Sequence, residues 1–242
     1  MRSDALIMDH FFCRNEIDYP TLPPTGLFKR WKFYRHRYGI VHATARFVGT
    51  RVSRTWDWTG PIVTTGLLRK WRIAPGEKNL NLGGGGNCLR GFLTCDIDPR
   101  ADVYLDMRNP LPFDSGEIDN VFCEEAIEHI PKSLAGKFLN ECARILKANG
   151  RIRISTPDLD WLINSLLRGE ISPEYFNACF YEHGHKHIYS RAEICDLILR
   201  AGFKSVRVSR YRDPSSYLAR VDSHADRFLH PPELSQYLDA IK

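Results

Sequence analysis

The sequence predicts one α/β domain built on a mostly parallel, seven-stranded sheet, with a basic, aromatic helical extension in front of it. Three observations predict this. Between residues 79 and 106, short apolar runs end three times in turn or acidic residues: Leu80 and Leu82 lead into four glycines at 83–86, Phe92 and Leu93 lead to Asp96, and the run 103–105 leads to Asp106. From residue 118 to 202, strand-like and helix-like stretches alternate, which is the pattern of parallel strands with helices on their faces. Last, the stretches 203–211 and 233–242 both alternate in polarity and fit a closing antiparallel pair.

Composition sets the bounds. At 242 residues the chain can bury one sizeable core and a small appendage. A hydrophobic share of 43% with 12% aromatics fits a globular protein. No apolar run approaches the roughly 18 residues of a membrane helix. The first twelve residues include Asp4 and Asp9 and lack a basic-then-apolar order, so we expect no signal peptide and a cytoplasmic protein. Seven cysteines, an odd number without a C-x-x-C pair, suggest buried thiols of a reducing compartment. The formal charge of +5 is uneven: residues 1–80 hold 14 Lys and Arg against 6 Asp and Glu, whereas the rest holds 20 against 23. The basic excess therefore belongs to the N-terminal third.

We divide the chain into an extension, 1–76, and a main domain, 77–242. Prolines 20, 23 and 24 mark an irregular lead-in. In 26–48, Leu27, Trp31, Tyr34 and Tyr38 fall near helical spacing with Lys and Arg between them. Three readings stand for this stretch: helices that cap the core, contact with an anionic membrane surface or lipid-linked substrate, or contact with nucleic acid. The last is the least supported, because no recognised nucleic-acid module accompanies it. Trp56, Trp58 and Trp71, beside Gly60-Pro61, should pack on the core ahead of the first strand.

Only ten residues, 83–92, separate the first glycine from the second strand. A parallel crossover takes at least about 10–12 residues, so its helix must be one turn or absent. A dinucleotide-binding unit instead places its acid about 20 residues beyond the glycines, along a full helix; here Asp96 follows Gly85 by 11. After the loop around Pro110 and Pro112, 118–123 reads as the fourth strand, with Glu124 and Glu125 at its carboxyl end. We expect a helix over 133–149, capped by Ser133, with an apolar stripe of Leu134, Phe138, Leu139, Cys142, Ile145 and Leu146 and a stop at Gly150. The fifth strand, 151–155, hands over to Thr156-Pro157-Asp158. Two helical stretches follow, and Ser190-x-x-Glu193 is a capping box for a third.

Glycines let a ligand approach the backbone where a Cβ would clash, and an acid ending the next strand can accept hydrogen bonds from ribose hydroxyls. A nucleoside-containing ligand at the strand ends is the result. The motifs narrow this further: Leu80-Asn81-Leu82-Gly83-Gly84-Gly85, Gly91-Phe92, Asp96-Ile97-Asp98-Pro99, Asp106, Pro110-Leu111-Pro112-Phe113, Ile118-Asp119, Glu128-His129-Ile130, Arg144-Ile145-Leu146-Lys147, Gly150, and Arg153-Ile154 with Pro157-Asp158. In this order and spacing, the segment 79–160 resembles class I S-adenosylmethionine-dependent methyltransferases of the type 11-like, glycan-biosynthesis-associated group, which share the shortened first connection.

The resemblance implies a Rossmann-like methyltransferase sheet and S-adenosylmethionine as methyl donor. It implies donor contacts from Gly83, Gly84 and Gly85, from Asp96 to the ribose with Ile97 beside it, from Asp106 and Met107 around the adenine, and from Glu124 at the methionine end. Asn81 stands where many relatives carry an acid, so it can accept a hydrogen bond from the donor's ammonium but lacks the charge. On the acceptor side, a hydroxyl must lose its proton as the methyl arrives, which suits His129, Asp158 or His185 as base, with His183 and His187 as substrate contacts. The alternate spacing His183, His185, His187 would put three imidazoles on one face of an extended segment, a metal-like arrangement. The similar histidine loop of the family favours a substrate-side loop, and we expect no metal. The reaction so implied is O-methylation of a sugar, glycan precursor or other small molecule. Two rivals stand beside it: a methyltransferase-like binding protein without catalysis, and a nucleic-acid methyltransferase using the basic extension.

Overall fold

The computed structural model describes residues 44, 55–98 and 100–242, and the chain divides after Asp106 into two compact units. The expected readings of 26–48 lie outside the described residues. The strands form one seven-stranded sheet in the order β3-β2-β1-β4-β5-β7-β6, numbered below in chain order. No helix among the described residues is long and apolar enough to cross a membrane.

The first unit contains helix α1 (Thr55–Ile73) and strands β1 (Asn79–Leu82), β2 (Leu93–Asp96) and β3 (Val103–Tyr104). The three strands are parallel, with Leu82 beside Cys95 and Cys95 beside Val103, so their carboxyl ends share one edge. Leu80, Leu82, Leu93 and Cys95 are fully buried, the near-continuous burial of a strand covered on both faces. As the ten-residue spacing requires, 83–92 contains no helix. Helix α1 packs on β3 as the Gly60 and Trp71 positions suggest. A Cβ on Gly60 would lie 2.6 Å from that of Tyr104, and the Thr64 Oγ1 accepts the Tyr104 N–H at 2.8 Å. Lys78 closes the helix end, donating to the Trp71 carbonyl at 3.0 Å and to that of Ala74, a cation on the negative pole of the helix.

The second unit contains β4 (Ile118–Glu124), α2 (Lys132–Ile145), β5 (Leu146–Pro157), α3 (Leu159–Leu167), α4 (Pro173–Tyr181), α5 (Arg191–Arg200), β6 (Ser205–Ser209), α6 (His224–Phe228) and β7 (Ser235–Ile241). β4 and β5 are parallel, and β7 lies antiparallel between β5 and β6, the closing pair read from the alternation. Ser190 caps α5 by accepting the Glu193 N–H. The reciprocal half of that box does not close, because Glu193 turns to His187 and Lys132.

Two boundaries differ from expectation. Ser133 does not cap α2; Pro131 holds the cap position and no side chain accepts there. The helix ends at Ile145, not near Asn149, and the chain passes directly into β5. The last carbonyls explain this. Lys242 takes those of Arg144 and Leu146 at 3.4 and 2.6 Å, while Asn149 enters the left-handed region at φ 62°. A side chain from the far end of the sequence thus performs the capping that Gly150 was expected to give. The loop at 110–113 is fixed from the same helix: Arg144 donates to the carbonyls of Phe113 and Leu111, and Glu141 accepts the Leu111 N–H.

One feature of β5 is costly and fully compensated. Arg153 is completely buried and donates to Asp222 at 2.6 and 2.7 Å, Asp239 at 3.0 Å, Ser209 and the Arg210 carbonyl. A buried guanidinium is tolerable only with this degree of pairing. It fastens β5, β6, β7 and the 222 turn together.

Candidate active site

In the first unit the glycine turn leaves β1 and folds back over Asn81. Gly83 and Gly85 take positive φ values of 72° and 52°. Gly84 lies directly on Asn81: a Cβ there would meet the Asn81 amide nitrogen at 2.2 Å and Thr94 at 2.8 Å. The Asn81 amide donates to the Asn87 carbonyl at 2.8 Å, while its Oδ1 is buried without a partner. Asp96 faces the turn. Its Oδ2 accepts the Gly85 N–H and its Oδ1 the Asp98 N–H, each at 2.8 Å. Burial raises the Asp96 carboxyl above its ordinary range, and these backbone donors oppose the shift. Each oxygen retains a lone pair for a further donor such as a hydroxyl. Ile97, next in the chain, is half exposed at 50%. An anionic acceptor beside an exposed apolar side chain suits a ribose carrying a flat base. Asp106 follows β3 at the same strand edge.

The fit to a nucleoside-bearing sulfonium donor is therefore good on this chain's own geometry: a turn whose backbone lies open at Gly85, where a Cβ would meet nothing within 4 Å, an acid with free lone pairs, and an unpartnered buried acceptor on Asn81. Gly84 is also a packing glycine, because Asn81 and Thr94 leave no room for a Cβ.

The second unit places the remaining candidates. Glu124 ends β4, but its carboxylate is saturated: Oε1 accepts the N–H groups of Ser223 and His224, and Oε2 the Ser223 hydroxyl and Arg227. It anchors the start of α6 instead of standing open as a donor contact. Asp158 is likewise engaged. Oδ1 caps α3 through Asp160 and Trp161, and Oδ2 pairs with Arg191 at 2.7 Å, so the group expected as a base sits buried as a hinge between helices. His187 turns to Glu193 at 2.9 Å and stacks edge-on against Tyr189, away from a substrate-contact role. Met107 is half-buried at the start of this unit.

His129, His183 and His185 do come together. His129 lies edge-on to His185 with ring centres 4.9 Å apart, and His183 is 5.7 Å from His185. The backbone brings this about: the Glu128 carbonyl accepts the N–H groups of Lys186 and His187 at 2.7 and 3.2 Å, stitching the histidine loop to the turn after β4. Gly184, at φ 74°, breaks the extended alternation, which is why three imidazoles at i, i+2, i+4 do not share one face. Burial, with His129 and His183 nearby, pushes His185 down to about 4.

Sequence reasoning gave no role to three members of this neighbourhood, Glu128, His224 and His230; Glu125 it had placed beside Glu124 at the carboxyl end of the fourth strand. Glu128 is completely buried; Oε2 accepts the Thr156 hydroxyl at 3.0 Å and Oε1 has no partner. Burial and the charge of Glu125 push Glu128 well above the usual carboxylate range. Glu125, at φ 50°, is raised to about 7 by burial and by Glu124. His224 lies 3.8 Å from Glu125, is pushed down to about 4 by burial, and has His230 5.6 Å away. The Glu128-His129 pair was visible as a motif. His224 and His230 carry no local signal.

Residues 98–154 match the family model described as a methyltransferase domain. No curated protein matches the chain. Among solved structures, it is similar to a SAM-dependent methyltransferase, possible histamine N-methyltransferase, from Thermotoga maritima: 16% identity over 89% of this chain and 98% of that one, TM-score 0.45. It is also similar to an S-adenosylmethionine-dependent methyltransferase from Mesorhizobium loti (14%, 69% and 92%, TM-score 0.48) and to Haemonchus contortus phosphoethanolamine N-methyltransferase 2 (13%, 90% and 60%, TM-score 0.48). The matched segment runs from the end of the Asp96-Ile97-Asp98 turn into β5.

Proposed function

We propose that this protein is an S-adenosylmethionine-dependent methyltransferase acting on an oxygen of a sugar, glycan precursor or related small molecule. When bound, S-adenosylmethionine supplies an activated methyl group on a good leaving thioether, so the protein's task is to position the partners and exclude water. Asp96 orients the ribose through its two backbone-held oxygens, Ile97 covers the base, and the open backbone at Gly85 admits the amino-acid end. His129 and His185 are groups suited to taking a hydroxyl acceptor's proton, and His185, held neutral by burial, keeps a lone pair at neutral pH.

The observation that carries the reading is the Asp96 carboxylate fixed by the Gly85 and Asp98 N–H groups beneath an exposed Ile97. The preference for a sugar oxygen draws on the resemblance of 79–160 to the glycan-associated group. The test is release of S-adenosylhomocysteine with a panel of acceptors. Turnover with sugars or glycan precursors, and none with amines or nucleic acid, is expected; turnover confined to RNA or DNA would replace the acceptor reading.

A further inference from the structure

The Glu128, His129 and His185 side chains each present one ligating atom, and these three atoms lie within 4.8 Å of one another. We propose that they bind a divalent transition-metal ion. Two imidazoles and one carboxylate are a donor set suited to zinc, manganese, cobalt or iron, with coordination positions left open. Metal–ligand bonds of about 2.1 Å require the donors to draw in by roughly an ångström. His129 is exposed and His185 half-buried on a loop, so rotation of these side chains can supply that movement.

Further observations point to a missing cation and not merely to clustering. Glu128 is completely buried, yet its Oε1 has no donor. His185 Nδ1 is buried and equally unpartnered. Glu125 adds a second buried carboxylate whose Oε1 also lacks a donor, and the two acids repel each other. An orphaned buried carboxylate oxygen is expensive, and a cation held by Glu128 would satisfy it. A support around the ligands is of the kind that orients metal sites: the Thr156 hydroxyl holds the other oxygen of Glu128. The loop carrying His185 is tied to the Glu128 carbonyl, so two ligands come from a single turn and the third from a segment fastened to it.

An ion here would take the acceptor's oxygen at an open position and ease loss of its proton, and with the ion bound His129 and His185 would serve as its ligands in place of acting as the base. That role rests on the methyl-transfer reading, whereas metal binding itself does not. The test uses the full chain stripped with a chelator and titrated with Co²⁺, followed by its visible absorption, and with Zn²⁺ by calorimetry. One saturating equivalent is expected, weakened at least tenfold by H129A, by H185A and by the isosteric E128Q. H187A, at a residue bound to Glu193, should leave it unchanged. His129 is exposed, so its replacement does not endanger the fold. Absence of saturable binding by the folded wild type, or binding that H129A and H185A leave intact, would overturn the proposal. Donor titration of the same stripped protein keeps the two readings apart: metal binding without donor binding would sink the methyl-transfer reading alone.

Discussion

The two units carry their chemistry in opposite ways. In the first, the glycine turn is assembled from residues 81–98 and carries local contacts: Gly83 to Cys95, Gly85 to Asp96, Asn81 to Asn87. In the second, the Glu–His group draws on 124–129, 155–156, 183–187 and 223–230, held by bonds that span up to 103 residues of sequence. The first is a backbone device and tolerates little steric change. The second is a side-chain device whose members were recruited singly. A local device leaves a motif, and a recruited one leaves isolated residues.

That contrast can be broken by mutation. The largest effect should come from the scaffold of the recruited group. Removing Arg153 leaves the buried Asp222 carboxylate without its guanidinium, and R153A should lower unfolding stability by about 3–5 kcal/mol in denaturant melts. If the loss were under about 1 kcal/mol, the buried network would not be what fastens the 222 turn. Next comes the donor turn. G84A drives a methyl group into Asn81 and Thr94 and should cost about 1–3 kcal/mol with loss of donor binding. G85A meets open space but a left-handed backbone, and should cost only about 1 kcal/mol. Equal effects at the two glycines would deny that Gly84 is a packing glycine. Smallest is K147A. Its ion pair with Asp119 is solvent-exposed, and a change within about 1 kcal/mol is expected.

Legibility in the sequence follows the same division. The parallel strands, the helix-free connection over 83–92 and the antiparallel closing pair were all readable, because alternation and residue spacing constrain them locally. The end of α2 was not, since its cap is Lys242, 96 residues beyond the Leu146 carbonyl it binds. Asp96 was legible from its distance to the glycines. Glu124 and Asp158 look like ligand-facing acids by position, and only the structure shows their oxygens taken by α6 and by α3 with Arg191. The histidine run pointed to the right loop: His183 and His185 lie beside His129, while His187 turns to Glu193, and Gly184 interrupts the extended backbone that would have put all three on one face. His224 and His230 could not have been found: neither has a patterned neighbour, and only folding brings His224 to Glu125.

The central claim is that the turn at 83–98 holds the methyl donor through Asp96. Calorimetric titration with S-adenosylmethionine and S-adenosylhomocysteine tests it most directly, comparing wild type, D96N and D96A. D96N retains one oxygen acceptor where D96A retains none. Saturable binding by the wild type, weakened about 100-fold in D96A as expected for two lost charge-assisted hydrogen bonds and less in D96N, is the predicted result. A properly folded wild type that binds neither ligand, or a D96A variant that binds both as tightly as wild type, would contradict the account.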